Sequence, residues 1–131
     1  MRLLFILFEL LLCTSIFAEN TQWFKATELA LKYRTYSGWT DWSEWKPVEV
    51  NVRFDFSQDR IILYSADPQI YRIVAKNNSK CTSDTVAFSI IDQDGDRGDL
   101  RLRFLENNDI VQLYVDFNNI CWVYNMRLLN R

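Results

Sequence analysis

Residues 48–56 alternate between apolar and polar side chains, and this period of two constrains the fold more than any other feature of the sequence. The even-numbered positions are apolar and the odd-numbered positions are polar: Val48, Glu49, Val50, Asn51, Val52, Arg53, Phe54, Asp55 and Phe56. Successive side chains of a strand point to opposite faces of a sheet. The pattern therefore predicts one strand, with the even-numbered side chains buried and the odd-numbered ones hydrated.

Shorter segments of the same kind follow along the chain, separated by turn-forming pairs such as Asp67-Pro68 and Asp94-Gly95. They predict strands over residues 60–65, 69–75, 85–92, 100–104, 110–117 and 120–128. Residues 27–34 also alternate, although Glu-Leu-Ala-Leu-Lys at 28–32 has good helix propensity. A helix over residues 22–32 is the alternative to the strand that we favour there.

The last two predicted strands are joined by Asn118-Asn119, a pair that tolerates the left-handed conformations of a two-residue hairpin turn. Such a turn fixes the register between the two strands. It predicts four cross-strand pairs on one face of the sheet: Val111 with Met126, Leu113 with Tyr124, Val115 with Trp122, and Phe117 with Ile120.

About eight short strands joined by short turns predict an all-β fold, an antiparallel meander. We favour closure into a small up-and-down barrel, because closure removes the exposed edges of the sheet. A two-layer β-sandwich is the alternative. The interior of an eight-stranded barrel is either filled by side chains or left open for one small ligand.

The N-terminal residues have the layout of a secretory signal peptide. Arg2 is followed by an apolar run over residues 3–12 that only Glu9 interrupts, and this run is too short to span a bilayer as a helix. We predict a signal peptide over residues 1–18 and a single all-β domain over residues 19–131, with no membrane-spanning segment after removal of the signal. The expected location is secreted or periplasmic.

Composition argues against several classes of function. The chain contains no histidine, which excludes serine–histidine and cysteine–histidine nucleophile systems and histidine-ligated zinc. The formal net charge is −2 and there is no basic block, so nucleic acid is a poor candidate partner. Four carboxylates could in principle serve as acid or base, but solvated positions explain them more simply: Asp41, Glu44, Asp55 and Asp116. We therefore predict no enzymatic activity and no cofactor.

Cys81 and Cys121 are the two cysteines that remain after removal of the signal peptide. An even pair in an oxidising compartment is a candidate disulfide. Two buried thiols in different parts of the sheet are the alternative, because the geometry of the pair decides the matter.

Residues 92–99 carry four carboxylates, a density that suits a hard cation such as calcium. The segment does not match a helix–loop–helix calcium site, because Arg97 stands where that loop requires glycine. An acidic hairpin loop built on Asp-Gly explains the same residues more simply. We predict no metal site.

Three tryptophans, Trp39, Trp42 and Trp45, stand at a spacing of three just before the strand at 48–56. On an extended chain Trp39 and Trp45 share one face and Trp42 points to the other, so at least one ring should meet solvent or another element. These rings either seal the core or form a binding platform for a sugar ring, an apolar ligand or a protein.

Residues 39–45, 48–56, 112–118 and 122–125 together resemble a group of small exported proteins of gut-type Gram-negative bacteria that has no assigned activity. The resemblance covers most of the mature chain. It implies export and a compact β fold, and it supplies no functional residues.

These observations favour a non-enzymatic binding module that works outside the cytoplasm. One form is a small barrel that holds an apolar or sugar-like ligand, with the tryptophans at its mouth. The alternative is a protein-interaction module with a solid core and an exposed aromatic patch.

Overall fold

The computed structural model describes residues 21–105 and 109–129. The predicted signal peptide at residues 1–18 lies outside the described residues. The described chain forms nine strands, with the following bounds: β1 Thr21–Thr35, β2 Gly38–Trp39, β3 Lys46–Asp55, β4 Arg60–Tyr64, β5 Gln69–Lys76, β6 Thr85–Ile91, β7 Arg97–Leu105, β8 Ile110–Asp116 and β9 Ile120–Leu128. Two short 3-10 helices lie at Phe56–Gln58 and Asn78–Lys80.

The strands form a closed antiparallel meander. Each strand from β3 to β9 pairs with the next one along the chain. β1 pairs with β3 on one side and with β9 on the other, which closes eight strands into a barrel. The short strand β2 is added beside the end of β1. This topology confirms the predicted up-and-down barrel and excludes the two-layer sandwich.

β1 is the longest strand, with 15 residues, and the helix considered for residues 22–32 does not form. Its first half pairs with β3 and most of its length pairs with β9. These ladders supply backbone hydrogen bonds on both sides of the strand. Tertiary pairing therefore overrides the local helix propensity of residues 28–32.

β3 confirms the predicted alternation at Val50, Val52 and Phe54, which are buried, and at Glu49 and Asn51, which are exposed. Phe56 is also buried, but it begins a 3-10 helix and is not part of the strand, and Val48 is only half-buried. The prediction is wrong for Asp55, whose residue exposure is 2%. Its carboxylate accepts hydrogen bonds from Ser57 Oγ at 2.8 Å and Arg53 Nη2 at 3.3 Å. Arg60 Nε lies 3.8 Å away. Two guanidinium groups and a hydroxyl thus compensate the buried charge that water was expected to solvate.

The last hairpin has the predicted register, with Val115 opposite Trp122 and Leu113 opposite Tyr124. Phe117 N–H donates to the Ile120 carbonyl at 2.9 Å and closes the connection. The left-handed conformations expected at Asn118-Asn119 are absent, because the non-glycine residues with positive φ in the described chain are Asp59 and Asp109. Trp122 packs against the core but is only half-buried.

Alternate connections of an up-and-down barrel lie at alternate ends. The connections after β3 and β5 lie at one end, which we call the closed end. The connections after β4, β6 and β8 lie at the other end, with residues 36–45; we call it the open end. At the closed end Phe24 and Phe54 are fully buried. Their ring centroids are 5.6 Å apart with an edge-to-face angle of 72°, and Phe56 lies 5.8 Å from Phe54. The two phenylalanine pairs fill this end.

Within the part of the chain that the structure describes, no helix has the length and apolar character needed to cross a bilayer.

Candidate functional site

A cavity of about 960 Å³ lies at the open end of the barrel. Its walls come from β1, β5 and β9 and from the connections after β6 and β8. The cavity spans the open end, from β1 and β9 on one side of the barrel to β5 and the connection after β6 on the other. The barrel is therefore filled at its closed end and hollow at its open end, a point that the sequence left undecided.

A cluster of aromatic rings, which we call the aromatic wall, lines this cavity. Phe117 and Trp122 are stacked, with ring centroids 5.9 Å apart and an interplanar angle of 26°. Tyr71 lies 6.1 Å from Phe117. Gly98 provides the space for the Phe117 ring, because a Cβ at this glycine would lie 2.7 Å from Phe117 Cε1. Offset and tilted contacts of this kind leave the outer faces of the rings available for a planar guest.

Few polar groups lie inside the cavity, and they come from Gln69, Tyr71, Trp122 and Tyr124. The Tyr71 hydroxyl donates to Gln69 Oε1. Burial raises the pKa of Tyr71, and the neighbouring Tyr124 and Asp92 raise it further. Burial also raises the pKa of Tyr124, opposed by a hydrogen bond with Gln69. Both phenols therefore remain protonated and able to donate well above neutral pH.

The indole N–H of Trp122, unlike the hydroxyl of Tyr71, is not hydrogen-bonded within the described chain. Its Nε1 atom is buried and has no hydrogen-bond partner among the described residues. A buried indole N–H usually finds a partner. Trp122 lines the cavity, but its Nε1 atom is buried, so an acceptor on a bound molecule reaches this donor only if the side chains around it move.

The rim of the cavity is the connection at residues 92–96. Asp92 Oδ1 accepts hydrogen bonds from the backbone N–H of Asp94 at 2.9 Å and of Asp96 at 2.8 Å. Gln93 Oε1 accepts from the Ile70 N–H at 3.2 Å, which ties the connection to β5. Gly95 has a φ of 88°, a conformation that glycine adopts readily. These contacts match the acidic hairpin loop predicted from Asp-Gly. In the described chain no three histidine, cysteine or acidic side chains are grouped to hold a metal ion.

The three tryptophans singled out in the sequence lie outside the barrel and do not line the cavity. Trp39, Trp42 and Trp45 are 41%, 39% and 43% exposed. Lys32 Nζ lies 4.7 Å from the Trp42 ring and 5.4 Å from the Trp39 ring. The prediction that Trp39 and Trp42 point to opposite faces of an extended strand is therefore wrong. The reason is that residues 40–45 are not part of a strand.

Hydrogen bonds hold residues 40–45 against β1. Ser43 N–H donates to the Leu31 carbonyl at 2.7 Å, and Thr40 N–H donates to the Tyr33 carbonyl at 2.8 Å. The Trp42 ring lies 6.2 Å from Tyr114 on β8.

Trp42 lies beside β1, and Tyr114 lies on β8. In the sheet, Ala30 on β1 is opposite Val123 on β9, and Val123 is in turn opposite Tyr114. Ala30 and Val123 are both buried, although neither belongs to the interior core cluster. The Trp42 ring thus lies on the outer face of the sheet, beside Tyr114 and the Lys32 ammonium group. Its contacts are those of a packing residue.

Cys81 and Cys121 are free thiols, so the candidate disulfide is not formed in the structure. Cys81 packs against the interior core, and its Sγ donates to the Asn77 carbonyl at 3.3 Å. Cys121 lies beside Asp116 on the outer face, where burial, and then a hydrogen bond with Asp116, raise the thiol pKa to about 11. The two thiols lie on opposite sides of the sheet, and this separation prevents a bridge.

The four carboxylates considered as acid or base are not brought together. Asp55 interacts with Arg53 and Arg60 at the closed end. Asp116 pairs with Arg101 at 3.3 Å on the outer face. Asp41 and Glu44 are exposed beside the tryptophans.

The residues of the cavity were not identified as a site from the sequence. The predicted hairpin register placed Phe117, Trp122 and Tyr124 on one face of the sheet. This shared face was the indication of the site that the sequence offered. Tyr71 and the rim come from parts of the chain far from this hairpin, so only the closed barrel brings them to it.

Comparison with protein-family models found no match to this chain, and comparison with curated proteins found none either.

Proposed function

We propose that the protein is a non-enzymatic exported carrier that holds one small, largely apolar ligand in the cavity at the open end of its barrel. The observation that carries this proposal is a cavity of about 960 Å³ with an aromatic wall. Pockets for small molecules have volumes of roughly 300–1,000 Å³ and are mostly apolar, with a few placed polar groups. The export part of the proposal rests on the signal-peptide pattern of residues 1–18.

The wall is suited to holding a ring system. Tyr71, Phe117 and Trp122 come from two different parts of the barrel, and their rings are tilted or stacked against each other. Because strands carry Tyr71 and Trp122, the wall is largely formed before any ligand arrives, which lowers the entropic cost of binding. Once the side chains around it move, the unpartnered Trp122 Nε1 supplies a directional hydrogen bond to an acceptor on the ligand.

The chemistry of the inner wall favours binding over catalysis. Aromatic rings, phenols, the Gln69 amide and aliphatic side chains line the interior of the cavity, and the charged side chains and the remaining amides lie at the rim. The interior groups stack and donate hydrogen bonds. A transferred proton or a covalent intermediate would require a base or nucleophile of matched pKa beside the ligand.

Two measurements test the proposal. Native mass spectrometry of the purified chain should show a copurified small molecule, or a one-to-one complex after addition of the neutral probe N-phenyl-1-naphthylamine. Titration with the same probe should give saturable fluorescence enhancement. Absence of both a complex and saturable binding would contradict the proposal.

Variants locate the binding. Phe117→Ala removes a face of the wall and should weaken probe affinity at least tenfold, which is about 1.4 kcal/mol. Trp122→Phe keeps the ring but removes the N–H, and it should weaken ligands that carry an acceptor. Trp45→Phe is the matched control, because Trp45 lies outside the cavity; it should leave affinity unchanged.

One observation favours a second candidate, interaction with another protein through the outer aromatic segment. In the described chain five of the seven exposed large apolar side chains lie within residues 33–45: Tyr33, Tyr36, Trp39, Trp42 and Trp45. Exposed aromatic clusters often form the centre of a protein interface. A clean apo mass together with a dimer or a bound protein in native mass spectrometry would favour this candidate over the carrier.

A further inference from the structure

The charged residues that line the cavity all lie at its rim. Among the described residues they are Asp92, Asp94, Asp96 and Arg97, three carboxylates against one guanidinium. The rim therefore has a net charge of −2. A molecule that enters the cavity passes this charge before it reaches the aromatic wall.

From this arrangement we infer that the cavity selects a neutral or positively charged aromatic ligand and discriminates against anions, including carboxylate lipids. The inference rests on the proposed function, and it names the class of ligand that the cavity takes. Two features of the site carry it, the fixed position of the rim and the chemistry of the inner wall.

Hydrogen bonds hold the rim in place. Asp92 Oδ1 accepts two backbone N–H groups of its own connection, and Gln93 joins that connection to Ile70 on β5. Because Asp92 is only half-buried while Asp94 and Asp96 are exposed, the last two carboxylates keep their hydration and their field. Their effect on an approaching charge falls with ionic strength, since the Debye length is about 8 Å at 0.15 M.

The inner wall offers an anion no cationic partner. It is formed by the aromatic side chains of Tyr71, Phe117, Trp122 and Tyr124, the Gln69 amide and the aliphatic side chains of Leu29, Leu31 and Ile120. An unpaired carboxylate or sulfonate would lose hydration there without an ion pair to replace it. The ring faces instead attract a cation through their quadrupoles. A neutral acceptor, such as an ether or carbonyl oxygen, matches the unpartnered Trp122 N–H.

A matched pair of probes tests the inference. N-phenyl-1-naphthylamine and 8-anilino-1-naphthalenesulfonate share one ring skeleton, and only the second carries a sulfonate. In low salt the protein should bind the neutral probe at least tenfold more tightly than the anionic one. Addition of 0.5 M sodium chloride should reduce this ratio, because salt screens the rim.

Variants separate charge from shape. The double variant Asp94→Asn, Asp96→Asn should bring the affinities of the two probes closer together by severalfold while leaving the affinity for the neutral probe nearly unchanged. The matched control is Asp41→Asn, Glu44→Gln, which removes the same charge from the outer aromatic segment, away from the cavity. It should leave the ratio unchanged.

The outcomes distinguish the two proposals. Equal affinities, tighter binding of the sulfonate, or a ratio that the rim variant does not change would overturn the inference on charge and leave the carrier proposal standing. Failure of both probes to bind saturably would overturn the carrier proposal itself.

Discussion

The two ends of the barrel are built from the same strands but are closed in different ways. At the closed end Phe24, Phe54 and Phe56 meet at centroid distances of 5.6 and 5.8 Å and fill the interior. At the open end Phe117 and Trp122 stack against each other on one wall and leave a cavity of about 960 Å³.

This difference shows that one alternating pattern can produce both a packed core and a binding cavity. Inward-facing aromatic residues occur at both ends, so the type of side chain does not distinguish them. What differs is where the rings come from: the closed-end rings lie on the neighbouring strands β1 and β3 and the connection after β3, whereas Tyr71 on β5 and Trp122 on β9 lie on opposite sides of the barrel. We therefore expect substitutions at the closed end to affect mainly stability and substitutions at the open end to affect mainly binding.

The largest effect should come from Phe54→Ala. Phe54 is fully buried between Phe24 and Phe56, so the truncation should lower the free energy of unfolding by about 3–5 kcal/mol. Phe117→Ala, at the edge of an existing cavity, should cost only about 1–2 kcal/mol because less packing is lost. Urea denaturation followed by circular dichroism measures both. Equal costs would show that the two ends are packed alike.

Gly98→Ala should have an intermediate effect. The new Cβ would meet the Asp116 carbonyl oxygen and the Phe117 ring at 2.7 Å, so the ring has to move, at a cost of about 1–3 kcal/mol. Affinity for the neutral probe should also fall. A double-mutant cycle with Phe117→Leu checks the mechanism. If removal of the ring does not relieve part of the cost, the glycine is not there to accommodate Phe117.

The smallest effect should come from Trp42→Ala. The ring is 39% exposed and lies on the outer face of the sheet, so its loss should lower the free energy of unfolding by about 1 kcal/mol or less. Probe affinity should not change. Trp45→Ala is the matched control, since its exposure is similar. A loss as large as that of Phe54→Ala would show that the outer tryptophans belong to the core.

The fold could be predicted from the sequence because alternation reports directly which face of a strand is buried. It located the strand that became β3 to within two residues, and it gave the pairing of Val115 with Trp122. It failed at Asp55, where two neighbouring arginines replace water. That compensation depends on how β3 and β4 meet, and periodicity carries no information about it.

The site could be predicted only in part. The hairpin register placed Phe117 and Trp122 together, but the gap beside them depends on how tightly the barrel closes, which no local pattern encodes. The tryptophan triplet drew attention because its spacing is regular. Its geometry depends on hydrogen bonds such as Ser43 to Leu31, which keep residues 40–45 out of a regular strand.

The most direct test of the carrier proposal is the indole N–H region of a ¹H–¹⁵N NMR spectrum during titration with N-phenyl-1-naphthylamine. The chain has five tryptophans, all within the described residues, and Trp122 is the one that lines the cavity. Trp122→Phe assigns its signal. We predict that the Trp122 signal shifts and saturates with the affinity measured by fluorescence, while the signals of Trp39, Trp42 and Trp45 stay in place. Shifts confined to those three signals, with Trp122 unchanged, would contradict binding in the cavity.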